Sequence, residues 1–346
     1  MIERYKKSFA SKPVRILWQG LLLVIGFSSL HVSAQDEPDT ALSEAAALER
    51  SQELSLRKQA LETLQGEFGI YDPVLIEAYS DFGAYYSEVG EHAAAAEQYS
   101  SAWQVARIST GLFSVEQIPV LQRLIESYRN LGNWEEVDKF EHLRYHIGSR
   151  VYEKGDEAFL LAATAYGDWK LRVVRENLLD LNSRALSSEI EDLSRFYSRT
   201  IADLEMNTDT TQEEMLQMIY GKSLADVALA RMVASTPYTA FQGTVSQYIN
   251  QTRCQNVVNS QGQVVRQCYN VQIENPQYRQ SQQIAKEMAV TQSAREVVRS
   301  VEKLQAIALQ STKMTLEQRQ ALESHIGELQ TETALLQRSS RRSFLF

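Results

Sequence analysis

Few residues in this chain have the type and spacing that chemistry needs. His142 and His146 stand four apart, which places both imidazoles on one face of a helix. No third ligand lies near them in sequence, so the pair reads as helix-surface histidines and no metal is expected. His92 and His325 are isolated. The chain contains no Gly-rich phosphate loop, no CxxC and no GxSxG. Its acidic residues are spread along polar helix faces, where charge serves solvation rather than paired-carboxylate catalysis. Neither an enzyme nor a cofactor is expected. The two cysteines, Cys254 and Cys268, flank a turn-rich stretch whose symmetry suggests a crosslink.

The compartment bears on that crosslink. Residues 1–15 carry Arg4, Lys6, Lys7, Lys12 and Arg15 against Glu3 alone, and Ile16–Phe27 is a short apolar run. Val32-Ser33-Ala34 supplies small residues for cleavage, so residues 1–34 read as a signal peptide and the chain as exported, with the periplasm as destination. The apolar run is too short for a comfortable membrane span. Cleavage would take the formal net charge from −9 to −13. A surface that acidic argues against nucleic acid and against anionic lipid as partners. With no second long apolar run, no membrane span is expected after cleavage.

The elements that would position any site are helices. Apolar residues make up 44% of the chain, and only six prolines and fifteen glycines interrupt it. Residues 35–68 read as a polar linker and then a helix over Ala41–Phe68. Residues 69–185 carry an internal repeat with a period of 42. Gly69 matches Gly111, Tyr86 matches Tyr128, and Gly90 matches Gly132. Each copy reads as two helices around a glycine turn. Asp72-Pro73 opens the first copy as cap and first helical residue. Ser114 opens the second, with Gln117 as capping-box partner. Tyr71, Tyr79, Tyr85, Tyr86 and Tyr99 recur at repeat spacing and read as core.

Residues 186–346 read as long helices. One or two span Trp169–Glu205, with a seam at Leu178, Leu181, Ala185, Ile190, Leu193, Tyr197, Ile201 and Leu204 suited to a coiled-coil-like partner helix. Thr211 caps a helix to about Ser235, and Thr239–Asn250 reads as a short one. Arg253–Ile273 reads as a β-hairpin. Pairing Val257 with Val265 and Val258 with Val264 sets Cys254 opposite Cys268, the register a disulfide requires. The hairpin serves equally well as a structural clip or as a recognition finger. A helix over Gln277–Gln310 carries the stripe Ile284, Met288, Ala294, Val297, Val301, Leu304, Ile307 and Ala308. Thr315, boxed by Gln318, opens the last helix, with Leu322, Ile326, Leu329 and Leu336 inward. The overall expectation is an all-α fold of antiparallel helical-hairpin repeats followed by long helices, with one small disulfide-linked hairpin.

The repeat resembles the tetratricopeptide repeat, in the 42-residue spacing of kinesin light chains. Tyr79, Phe82-Gly83, Tyr86, Gly90, Ala95, Tyr99 and Ala102 match that family's pattern in the first copy. Leu121, Leu124, Tyr128 and Gly132 match in the second, which departs at Ile125, Val137, Glu141 and Arg144. Ala163 and Tyr166-Gly167 begin a third, partial copy, with Lys170 where tyrosine is expected. The resemblance implies a concave groove made by the first helix of each repeat. It would present Ser80, Ala84 and Ser87, then Gln122, Glu126 and Arg129, then Thr164 and Asp168 with Leu171 and Arg172. The family's backbone-clamping asparagine is replaced here by Asp81, Arg123 and Ala165. The implied function is an envelope adaptor or scaffold that holds a protein or peptide. The alternative is a structural envelope component that self-associates into a homo-oligomer through its long helices.

Overall fold

The computed structural model describes residues 37–206, 211, 213–311 and 314–342. The expected signal peptide and cleavage site lie outside these residues, as does the end of the chain from Ser343. Among the described residues there are ten α-helices and one two-stranded antiparallel sheet. No helix among them is long and apolar enough to cross a membrane. The chain divides into two compact units, one ending at Phe140 and the other beginning at Glu141.

In the first unit α1 (Glu37–Phe68) packs on α2 (Val74–Glu88), α2 on α3 (His92–Ser109), and α3 on α4 (Gln117–Asn130). The helical repeat is plain in the element bounds. The helix α5 (Trp134–Val151) starts and ends 42 residues after α3. Gly90 and Gly132 hold φ of 82° and 69° at the two intra-repeat turns, a conformation that costs any residue with a Cβ. The contact that closes the first hairpin is Gly83 against Tyr99. A Cβ at position 83 would stand 2.7 Å from Tyr99 Cε1, so only glycine lets the ring, 3% exposed, lie against α2. Asp72 caps α2 by accepting from Val74 N at 3.0 Å. The capping box expected at Ser114 and Gln117 does not form. Gln117 is buried and turned inward, where it accepts from Trp103 Nε1 at 3.0 Å and donates to Gly111 O at 2.7 Å. Among the expected core tyrosines, Tyr71 is exposed instead.

In the second unit, α6 (Glu157–Glu176) and α7 (Ser183–Glu205) form a further hairpin that runs through residue 185. The two helices are separated by Asn177, which adopts φ 48° and bonds Leu181 through its side chain. On α7, Ile190, Leu193, Tyr197, Ile201 and Leu204 are buried, while the earlier seam residues Leu178, Leu181 and Ala185 are only partly so. Thr211 and Glu214 form a reciprocal capping box before α8 (Leu216–Ser235). The region Thr239–Asn250 is not a helix. It holds one 3₁₀ turn, Tyr238–Ala240, and then a bent loop that enters a strand at Tyr248. Two reasons are visible. Gln282 Nε2 takes the carbonyls of Thr239 and Phe241 (3.2 and 2.9 Å), and Gly243 lies against the Tyr278 ring, where no side chain has room.

The strands β1 (Tyr248–Val258) and β2 (Val264–Glu274) extend the expected hairpin at its open end while keeping its register. Val257 faces Val265, Val258 faces Val264, and Cys254 faces Cys268, to which it is disulfide-bonded. The helix α9 (Tyr278–Gln310) then packs on α8 and on α10 (Leu316–Arg342). Its buried apolar stripe begins at Val290. Ile284 and Met288, expected inward, are 37% and 62% exposed. The capping box Thr315–Gln318 forms as expected. Leu322, Ile326 and Leu329 join Val297, Val301, Leu304, Tyr197 and Met218 in one core.

Candidate functional site

The groove positions fall on three helices and in both units. Ser80, Ala84 and Ser87 form one half-buried stripe on α2, and Gln122, Glu126 and Arg129 form an exposed stripe on α4. Thr164, Asp168, Leu171 and Arg172 lie half-buried on α6, in the second unit. Arg172 Nε bonds Glu176 Oε2 at 3.1 Å, one turn on in its own helix, while Arg175 takes Glu176 Oε1 at 2.8 Å. Burial pushes the Glu176 carboxyl up, but the two arginines outweigh it and hold the group below its ordinary value. The most accessible stripe is therefore the one on α4.

The departures of the second repeat have a physical resolution. Glu141 and Arg144 stand where the first repeat has Tyr99 and Ala102. Glu141 is 1% exposed and pairs with Arg144 at 2.7 Å, so the charge is buried with its counter-charge. The two histidines on this helix belong to an aromatic stack. Their rings lie parallel with centroids 6.4 Å apart, and His142 meets Tyr166 edge-on at 5.9 Å. Tyr145, Tyr166, Phe196 and Tyr197 continue the stack at 4.8–5.4 Å. Among the described residues no group of three His, Cys, Asp or Glu side chains is arranged to hold a metal.

Two polar clusters in the second unit carry no local signature in sequence. Asp226 of α8, 1% exposed, accepts from Ser194 Oγ at 2.7 Å, Lys222 Nζ at 2.5 Å and Ser300 Oγ at 3.3 Å, which ties α7, α8 and α9 together. The Lys222/Asp226 spacing is the one hint the sequence offers, since the serines are 32 and 74 residues away. The other cluster joins Tyr220 of α8 to His325 of α10. Their rings lie 4.2 Å apart, with Tyr220 Oη 3.5 Å from His325 Nδ1 and Glu328 Oε2 3.8 Å from the same nitrogen. His325 Nε2 is buried without a hydrogen-bond partner. Burial lowers the imidazole's pKa, against the pull of Glu328. It raises that of the Tyr220 phenol, with Glu328 and Asp168 adding to the effect and Arg175 opposing it.

The hairpin is the most exposed element. Val265, Tyr269 and Ile249 are 41%, 46% and 40% exposed. Gln251, Gln255, Asn256, Gln267 and Gln272 are exposed around them. Thr252 Oγ1 donates to Asn270 Oδ1 across the strands at 2.8 Å, beside the disulfide.

No family model matches the sequence, and no curated relative matches it. Among solved structures that match, one described as "Computational Design of Self-Assembling Cyclic Protein Homooligomers" shares 14% identity. It covers 87% of this chain and 99% of its own, with a TM-score of 0.30. Similarity at that level carries no argument about fold detail, assembly or function.

Proposed function

We propose that the chain is an exported scaffold of the tetratricopeptide kind, which holds a protein or peptide partner in the cell envelope. The observation that carries this reading is the pair of helical hairpins at a 42-residue displacement, whose first helices each carry a stripe of short or polar side chains, half-buried on α2 and exposed on α4. Helical repeats bury one face against their neighbours and leave the other for a ligand. The stripe Gln122, Glu126 and Arg129 supplies amide, carboxylate and guanidinium groups at helical spacing, enough to bond an extended peptide backbone and one acidic group on it. The disulfide supports an oxidising compartment, in line with the basic and apolar start of the sequence.

The test is crosslinking in the native envelope followed by pull-down, with the recovered partner then bound to purified chain. Substituting Gln122, Glu126 and Arg129 with alanine should abolish that binding and leave the helix content and melting temperature unchanged. Full binding by the triple variant would move the interaction off α4 and sink the groove reading.

A further inference from the structure

The hairpin's hydrogen-bond phase can be read from its two ends. Asn259 N bonds Gln263 O at 2.9 Å and Asn275 N bonds Gln247 O at 2.8 Å. Odd-numbered residues therefore exchange the ladder hydrogen bonds, and even-numbered residues turn their N–H and C=O groups outward. Cys254 and Cys268, with Cα atoms 4.0 Å apart, form one of the narrow even-numbered pairs. The same alternation sorts the side chains. Ile249, Val257, Val265, Tyr269, Val271 and Ile273 share one face with Gln251, Arg253, Gln255 and Gln267, and the disulfide and the Thr252–Asn270 bond lie on the other.

Such a ribbon is unfinished in two ways. A lone two-stranded sheet is marginal in water, and three or more strands with an apolar face are needed for stability. Each open edge is also a template for another strand, and neither strand carries the proline or lysine that blunts edges.

The two edges differ in charge. The only charged residue of β1 is Arg253, whereas β2 carries Arg266 and Glu274, of opposite sign and eight residues apart. We propose that two copies of this chain join edge to edge through antiparallel β2 strands, on a two-fold axis at Asn270. In this register the outward groups of the even-numbered residues meet one another. Arg266 lies opposite Glu274 of the second copy, and the reverse pair forms at the other end. The ribbons become one four-stranded sheet. The faces that carry the apolar residues become continuous, with Tyr269 beside Val271 of the second copy. A symmetric pairing through β1 would offer Arg253 no acid, so charge selects β2. The surface used is separate from the repeat helices, so the inference stands or falls independently of the groove.

The experiment is sedimentation of the full oxidised chain across a concentration series, with disulfide and helix content checked for every variant. The native chain should dimerise. Arg266→Glu and Glu274→Arg should each weaken the dimer by about tenfold or more, because like charges then face each other at both ends. The double variant restores both pairs with exchanged signs and should recover the dimer. Gln272→Pro should also abolish it, since Pro removes only an outward N–H and leaves the ladder intact. A chain monomeric at every concentration would overturn the proposal. So would a dimer that survives both single reversals, or a double variant no better than the singles.

Discussion

Replacing Gly221 with alanine probes one of the tightest contacts in the second unit. The ring of Tyr197, 1% exposed, lies between the backbones of α6 and α8 at two glycines. A Cβ at Gly221 would stand 2.5 Å from Tyr197 Cζ and 2.6 Å from Cε1, and one at Gly167 would stand 2.5 Å from Oη. Carbon atoms pack best at roughly 3.5–4.0 Å, so the overlap is about 1 Å. The ring cannot retreat from one helix without being driven into the other. Helix propensity alone predicts that Gly→Ala stabilises by ~1 kcal/mol. Overpacking of this kind costs ~1–3 kcal/mol or more, and the double overlap puts it at the upper end. The net expectation is a loss of about 2 kcal/mol, read as a fall in melting temperature of roughly 4–8 °C for a unit of this size. Gly327→Ala on α10 is the control. No atom lies within 4 Å of its Cβ position, so it should be neutral or stabilising. Tyr197→Leu should remove most of the penalty of Gly221→Ala in a double-mutant cycle. The assay is thermal and urea unfolding followed by circular dichroism. A Gly221→Ala variant as stable as Gly327→Ala would refute the argument.

The remaining predictions concern other sites. Gly83→Ala, with its Cβ 2.7 Å from Tyr99, should destabilise the first unit by a similar amount, measured by the same melts. Asp226→Ala strands Ser194, Lys222 and Ser300 in or beside the core and should cost ~3 kcal/mol in urea unfolding; a loss under ~1 kcal/mol would show that the knot is not structural. His325 has a folded pKa below its ordinary value of 6.5, so the unfolded chain takes up the proton first. Stability should therefore fall as pH drops through about 6.5 and level off below the folded pKa, and His325→Phe should remove that part of the pH dependence of urea unfolding. Replacing Cys254 and Cys268 with serine should destabilise the hairpin by ~3 kcal/mol while leaving the far-ultraviolet helix signal intact, checked by proteolysis at the turn.

What could be read in the sequence was what local rules govern. The 42-residue glycine spacing, the caps at Asp72, Thr211 and Thr315, and the mirror-image valines around Asn259–Gln263 each depend on residues a few positions apart, and each appears as expected. The failures came where a distant residue intervened. Gln117 abandons its capping role because the half-buried Trp103 offers it a donor. Thr239–Asn250 leaves the helix because Gln282 satisfies its carbonyls. Met288 matches the helical period yet faces water, since periodicity marks a stripe but not where the neighbouring helix begins to cover it. Of the candidate site, the positions on α2, α4 and α6 came from the resemblance of the repeat to a known family, not from spacing alone. The Asp226 knot and the Tyr220–His325 pair were legible from neither, because their members meet only when helices far apart in the chain pack together.

The closing bond between Gln247 and Asn275 has a bearing on how this molecule can change over time. The two ends of the ribbon meet there, between helices that pack on each other without its help. Everything beyond that bond is an insert with its own covalent fastening. Lengthening it, shortening it or exchanging its charges leaves the helical framework the same folding problem as before. A lineage can thus revise what the insert meets without revisiting the bundle that carries it, and a protein engineer can splice a foreign hairpin into the same socket.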